Sequence, residues 1–259
     1  MKRRDFIALG AAAGLAPLAG TGKAFAQGNK REYYEWRRYD LLPGSNVRND
    51  LNAFLEDVAI PAYNRMGIEP IGVFNAMYGT NRLSLYMLLP HPSLESVQTS
   101  TQQLLDDKKV QKEGGDFMTV SSENIRYVRM ESSLMVAFEG MPQLAKPTTS
   151  GSRIFEMRRY ESHNMRAAKR KVEMFDKGEI QIFVDTGLQP VFFGETLIGP
   201  HMPNLTYMLW FESMEQRDER WDVFRVSPAW KKLSADPYYA DTVSDITDII
   251  FRPASYSQI

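Results

Sequence analysis

Cysteine is absent from this chain of 259 residues. Its absence removes disulfides, thiolate metal centres, iron–sulfur clusters and cysteine nucleophiles together. Histidine is scarce: His91, His163 and His201 are the only three, and no His-x-His or His-x-x-x-His pair occurs. A metal centre needs several converging ligands, so no metal site is expected. Neither charge is in excess, with 31 Lys and Arg against 32 Asp and Glu. The basic surface that marks a nucleic-acid binder is therefore missing, and no such partner is expected. Patterns for a nucleotide loop, a nucleophile elbow or a catalytic acid pair are also lacking, and no cofactor is expected. No run of the chain is apolar over the roughly 20 residues needed to span a bilayer.

What is present begins with an address. Lys2-Arg3-Arg4-Asp5-Phe6-Ile7 precedes an Ala/Gly-rich apolar stretch from Ala8 to Ala19, and Ala24-Phe25-Ala26 follows. A basic start, a short apolar middle and a small-residue site describe a signal peptide over residues 1–26, cleaved after Ala26. Arg3, Arg4 and Phe6 together resemble a twin-arginine export signal. The mature chain is then expected in the periplasm or otherwise exported, without a membrane span.

The remainder reads as one unit written twice. Tyr34-Glu35-Trp36-Arg37-Arg38-Tyr39-Asp40 matches Phe155-Glu156-Met157-Arg158-Arg159-Tyr160-Glu161, and Gly67-Ile68-Glu69-Pro70-Ile71 matches Gly187-Leu188-Gln189-Pro190-Val191. Gly79 then matches Gly199, and Tyr86-Met87-Leu88 matches Tyr207-Met208-Leu209. Four blocks in one order at a nearly constant offset point to an internal repeat. The units are expected over residues 27–140 and 153–259, with the Pro/Thr/Ser/Gly-rich segment 141–152 as linker.

Periodicity gives each unit the same order. In the first, strands are expected over 31–41, 71–78, 83–89 and 125–138. Ser45 is a candidate cap for a helix carrying Val47, Leu51, Phe54, Leu55 and Val58 at helical spacing, which Pro61 should kink or end. A hairpin turn falls at Gly79-Thr80-Asn81, and a second helix over 93–112. In the second unit the expected strands are 152–161, 191–198, 205–212 and 245–251, with helices over 165–186 and 214–233. Ser227-Pro228-Ala229-Trp230 should kink the last helix and bury Trp230. The order βαββαβ is the ferredoxin-like unit, whose sheet carries helices on one face only. The uncovered faces must pack on something, and two units in one chain can supply each other's cover. The expected fold is α+β, two tandem ferredoxin-like units forming an intrachain dimeric α+β barrel.

Strand alternation sorts the repeated motif by face. Tyr34, Trp36 and Arg38 share one side, as do Phe155, Met157 and Arg159. Glu35, Arg37 and Tyr39 share the other, with Glu156, Arg158 and Tyr160. The larger apolar groups suit the helix-covered side, so the Glu-x-Arg-x-Tyr triplets are expected to face the cavity between the sheets. Two roles compete for these six residues. Each Arg, fixed beside a carboxylate and a phenol, could hold an anionic or carbonyl-bearing ligand. Alternatively, Glu and Arg pair on one strand and the phenol completes a structural network. The histidines are weaker candidates, since His91 between two prolines and His201 after Gly199-Pro200 read as loop residues.

The segment Tyr34 to Leu41 followed by Pro43-Gly44 resembles the start of a NIPSNAP-family domain, and Phe155 to Tyr160 resembles a second start. Pro61 to Pro70 and Met214 to Trp230 extend the likeness. The second unit departs in having Ser162-His163-Asn164 where the first has Pro-Gly. The resemblance implies the dimeric α+β barrel superfamily but brings no reaction. NIPSNAP proteins are best known as mitochondrial proteins linked to vesicle traffic and protein interaction, and the wider superfamily includes cofactor-free monooxygenases, isomerases and haem-handling enzymes. None of their catalytic residues maps onto this sequence, because function belongs to sites and not to folds.

The leading expectation is a binding protein for a small ligand or a protein partner, with a homo-oligomer also compatible. The second is an enzyme on a small carbonyl compound, with Tyr39 or Tyr160 donating a hydrogen bond and Arg37 or Arg158 holding negative charge. The third is a structural or interaction module with its cavity packed shut.

Overall fold

Alternation and β-forming residues make Tyr33–Asp40 the first strand, β1, and its pairing sets the architecture. The computed structural model describes residues 30–43, 46–78, 83–148 and 151–259. The expected signal peptide, the Ser45 cap and the Gly79-Thr80-Asn81 turn lie outside them. After β1 come α1 (Val47–Phe54), a π-helical turn (Leu55–Ala59), α2 (Ile60–Arg65), β2 (Gly72–Ala76) and β3 (Leu85–His91). Then follow α3 (Leu94–Asp106), α4 (Lys108–Met118) and β4 (Arg129–Ala137). The second half repeats the order: β5 (Ile154–Glu161), α5 (Met165–Met174), a π-helical turn (Phe175–Glu179), α6 (Ile180–Asp185), β6 (Gln189–Ile198) and β7 (Asn204–Phe211). It ends with α7 (Met214–Val226), α8 (Pro228–Ser234) and β8 (Asp245–Pro253).

Local chemistry explains the breaks. Pro61 does not end its helix, because it sits in the first turn of α2, just after the widened π-helical turn. There its missing N–H costs little. The helix expected over 93–112 is instead two, because the Asp107 side chain accepts from the backbone N–H groups of Lys109 and Val110 and starts α4. Ser227 does the same for α8 by accepting from Trp230 N–H, and half-buried Trp230 packs against Phe224 with ring centroids 4.6 Å apart.

All eight strands close into one antiparallel barrel in the order β1-β3-β2-β8-β5-β7-β6-β4. The two halves join edge to edge, at β2–β8 and β4–β6, so neither sheet keeps an unpaired edge. Residues 142–145 of the expected linker are tied to the barrel. Glu32 N–H donates to Pro142 O, Leu144 N–H to the Glu32 carboxylate and Ala145 N–H to Val191 O. The C-terminus is also drawn in: Ile259 is 1% exposed and packs with the barrel interior. Gly72 makes room for it, since a Cβ there would come within 2.8 Å of the Ile259 side chain.

The barrel corrects the expected faces. Tyr34, Phe74, Tyr86, Leu88, Phe155, Met208, Trp210 and Phe251 form one interior cluster, with Trp36 and Met157 packed against it. Glu35, Arg37 and Tyr39 therefore lie on the outer, helix-covered face, where Tyr39 packs with Leu51, Leu55 and Tyr63 of α1 to α2. The same holds for Tyr160, which packs with Phe175 and Phe183. Both faces of the sheet are buried here, so residue size could not tell them apart. The match of Tyr86-Met87-Leu88 to Tyr207-Met208-Leu209 is also off by one. Arg37 pairs with Met87 whereas Arg158 pairs with Tyr207. A one-residue slip changes faces, so Tyr86 points into the barrel and Tyr207 towards the helices.

The interior ties the halves together. Phe251 of β8 contacts Trp36, Tyr86 and Phe74 of the first half at ring-centroid distances of 5.6, 4.9 and 5.9 Å. Phe251→Ala should cost about 3–5 kcal/mol and leave a single cooperative transition in urea, followed in parallel by far- and near-ultraviolet circular dichroism. Two separated transitions in the unsubstituted protein would contradict a shared interior.

Candidate functional site

The site is built where β1 meets α1, α2 and α3. Glu35 and Arg37, two apart on β1, project to the same side and pair in a fork. Arg37 donates from Nε to Glu35 Oε1 at 2.5 Å and from Nη2 to Oε2 at 2.8 Å. Its third arm, Nη1, donates to the Tyr63 hydroxyl at 2.8 Å. Glu35 also accepts from the Ser132 hydroxyl at 2.7 Å, and His91 Nε2 lies 3.3 Å from it. The other ring nitrogen of His91 is 3.0 Å from the Ser96 hydroxyl of α3. His91 is thus fully buried at the end of β3, not a loop residue as its flanking prolines suggested. The sequence signal that could have placed it is its position within the apolar run that forms β3.

Electrostatics follow from this geometry. Burial alone would raise the Glu35 carboxyl, but the His91, Arg37 and Ser132 hydrogen bonds and the Arg37 charge bring it down to about 2. Burial works against the Arg37 charge, yet neighbouring Tyr63, Tyr39 and Glu35 outweigh it and hold the guanidinium charged. Burial pushes the Tyr39 phenol up to about 12, against the pull of Arg37, so it stays a neutral hydrogen-bond donor at ordinary pH.

Arg37, Tyr39 and Tyr63 form one polar corner of a cavity of about 450 Å³ between the sheet and helices α1 to α4. Its other walls are largely apolar: Leu51, Leu55 and Ala59, then Leu104, Phe117 and Met118. Phe54 and Phe117 stack in parallel at 4.1 Å as one side. Gly114 permits this, because a Cβ there would sit 2.7 Å from the Phe54 ring. Ser121, Ser122, Arg126 and Tyr127 add further polar groups to the lining, with Arg126 paired to Asp50. The arrangement can hold an apolar body and present the Arg37 guanidinium and the Tyr39 and Tyr63 phenols to a polar head.

The second half has the same triplet beside a packed aromatic core. Glu156 accepts from Arg158 Nη1 at 3.0 Å, from Arg217 at 2.5 and 3.1 Å, and from Trp221 Nε1 at 2.7 Å. Tyr160 and Tyr207 share a hydrogen bond of 2.9 Å. Where the first half has Thr101, Leu104 and Val110 on α3 and α4, the equivalent positions of α7 and α8 carry Trp221, Phe224 and Trp230. Leu51 and Ala59 are answered by Lys171 and Glu179, a buried pair at 2.7 Å with the ammonium 4.7 Å from the Phe175 ring centre. The six expected site residues thus split: Arg37 and Tyr39 line the cavity, Glu35 orients Arg37, and Glu156, Arg158 and Tyr160 sit in a filled core. Thr101, Leu104 and the Phe54–Phe117 pair were missed, because nothing in a helical apolar stripe tells a core position from a cavity wall.

Among the described residues, no group of His, Asp and Glu is arranged to hold a metal ion, and no helix is long and apolar enough to cross a membrane. His163 lies 4.0 Å from Asp241 and His201 3.4 Å from Glu161, both at the surface.

The Glu35 network should appear in the pH dependence of stability. Its folded value lies below the unfolded one near 4.5. The stabilisation is therefore full above about pH 5 and is lost as pH falls towards 2, about 3 kcal/mol in all. Glu35→Gln should flatten that part of the unfolding free-energy profile measured by urea denaturation at each pH. An unchanged slope would remove Glu35 from the acid response.

The fold recurs in solved structures. A candidate monooxygenase from Fusobacterium nucleatum subsp. nucleatum superposes with a TM-score of 0.55 at 10% identity, over 87% of this chain and 93% of its own. A second candidate monooxygenase, from Lactobacillus acidophilus, gives 0.56 at 8% identity, over 86% of this chain and 94% of its own. Both share the α+β barrel across nearly the whole chain. A NIPSNAP-family protein of unknown function from Agrobacterium tumefaciens is 23% identical over 42% of this chain and 95% of its own, with a TM-score of 0.37. No curated protein matches the chain. Residues 155–258 match the model of the NIPSNAP family.

Proposed function

We propose that the protein binds one small, largely apolar molecule with a single acidic or carbonyl head in the sheet–helix cavity of its first half. The carrying observation is the asymmetry: Thr101 and Leu104 line a 450 Å³ cavity where the equivalent Trp221 and Phe224 sit in a packed core. An unfilled apolar space beside a buried arginine costs stability unless something uses it. The head would meet Arg37, held charged and aimed by Glu35, with Tyr39 and Tyr63 as donors. The same trio favours a second reading, an enzyme that stabilises an enolate or phenolate formed on the bound molecule. The resemblance to candidate monooxygenases supports that reading by analogy of fold alone.

A fluorescent aromatic carboxylate such as 2-naphthoate should bind once per chain. Thr101→Trp or Leu104→Phe, which copy the second half, should weaken binding at least about tenfold, or about 1.4 kcal/mol, with little loss of stability. Undiminished binding to Thr101→Trp would exclude this cavity as the site.

The βαββαβ order of each half, the matching π-helical turns and the repeated Glu-x-Arg-x-Tyr support descent from two ferredoxin-like units in tandem, the first also NIPSNAP-like. The paired Arg3-Arg4, Phe6 and the Ala24-Phe25-Ala26 site support twin-arginine export and a periplasmic location. Replacing Arg3 and Arg4 together by lysine should abolish accumulation of the processed chain outside the cytoplasm, read by fractionation. Unchanged export would mean the general secretory route.

A further inference from the structure

The barrel has a cavity of its own, separate from the one between sheet and helices. About 260 Å³ in volume, it occupies the end of the barrel where β1 and β5 finish, and seven of the eight strands contribute to its lining. Its floor is apolar, made by Trp36, Met135, Met157 and Ile249. Its rim is polar and carries Arg38 and Arg159, which hold equivalent places on β1 and β5. We propose that this cavity is a second ligand site, for a small carboxylate with a short apolar tail, whose head is held by Arg159 and His201.

The two arginines are not equally neutralised. Arg38 pairs with Asp40 at 2.9 Å and with Glu131 at 3.0 Å. Across from Arg159, at the position that Glu131 holds opposite Arg38, stands Thr247, which accepts a hydrogen bond at 3.3 Å. Arg159 has one carboxylate, Glu161 at 3.1 Å, and shares it with His201 Nδ1 at 3.4 Å. Its Nη1 has no partner among the described residues. A guanidinium with a free arm beside hydroxyls, above an apolar floor, suits a carboxylate head and a tail of a few carbons. Glu131, the carboxylate on the opposite wall, stays engaged with Arg38.

His201 supplies an independent sign. Its φ is +60°, a conformation costly for a residue with a side chain. The loop is held there by Asn204, which donates to Pro200 O at 3.0 Å and to His201 O at 2.9 Å while accepting from Thr196 at 2.6 Å. Asn204 is buried and spends its whole amide on this clamp. The outcome is an imidazole at the cavity rim, with its side chain about half exposed.

The test is a ligand-observed NMR titration with three probes of one shape: butyrate, butyramide and n-butylammonium. Butyrate should bind at least about tenfold more tightly than the other two. Arg159→Gln should abolish that preference, and His201→Asn, which tolerates positive φ, should weaken butyrate several-fold. Thr101→Trp, which fills the other cavity, should change nothing. Equal binding of the amide or the ammonium would overturn the proposal. So would butyrate binding that survives Arg159→Gln or is lost in Thr101→Trp. Should Arg159→Gln fail to fold, His201→Asn decides, and undiminished butyrate binding there counts against the site.

Discussion

Everything in this molecule depends on the closure of eight strands around one aromatic interior. A four-stranded sheet with helices on one side leaves the other side wet, and hydrophobic burial is the dominant favourable term in folding. Joining β2 to β8 and β4 to β6 removes both edges of each sheet and turns the two bare faces into one core. Tyr34, Phe74, Phe155 and Phe251 fill it, each with essentially no exposed surface. Once those residues are inside, the period of two leaves no choice for their neighbours. Glu35, Arg37 and Tyr39 must face the helices, and whatever they do must be done there.

That constraint separates the duties of adjacent residues. Along β1, Trp36 and Arg38 belong to the barrel, its packed middle and its open end. Arg37 and Tyr39 belong to the sheet–helix space. One short strand therefore serves two cavities that do not communicate through its side chains. The second half keeps the barrel duty and drops the other, because Trp221 and Phe224 occupy what Thr101 and Leu104 leave free. Large aromatic rings stabilise by area and by edge-to-face contacts, and here they do so with Phe183 at 5.7 and 4.9 Å. The first half forgoes that stabilisation.

Much of the fold was legible. Period-two patterns located every strand within a few residues, helical patterns located the helical segments but not the split of 93–112 into α3 and α4, and the repeated motif carried the barrel. The failures have definite causes. A strand buried on both faces gives no polar side, so the direction of Glu-x-Arg-x-Tyr was undetermined by alternation and was decided wrongly by size. The Tyr-Met-Leu identity misaligned β3 and β7 by one residue, because local identity does not see the register that pairs Arg37 with Met87 and Arg158 with Tyr207. The break at Asp107 has no proline to announce it, only an acidic cap. The site was half legible. Arg37 and Tyr39 were named, but the cavity is made by what is small at Thr101 and Ala59, and smallness in one half speaks only when set beside Trp221 and Glu179 in the other.

The buried ion pair common to both halves sharpens the point. A buried Glu–Arg pair contributes little net stability, since desolvation offsets attraction, so its presence twice is no measure of function. What differs is how each carboxylate is satisfied. Glu156 meets two arginines and an indole N–H, Arg217 also pairs with Asp218, and the Arg158 guanidinium lies over the rings of Tyr160 and Trp221. Glu35 meets one arginine, a hydroxyl and a histidine, and Arg37 turns its third arm to a phenol. Tyr63 supplies that phenol where the second half has Phe183 at the same place in its helix. A guanidinium bonded to one carboxylate and one neutral hydroxyl keeps capacity for a further acceptor, and it does so only in the half where an acceptor has room to enter.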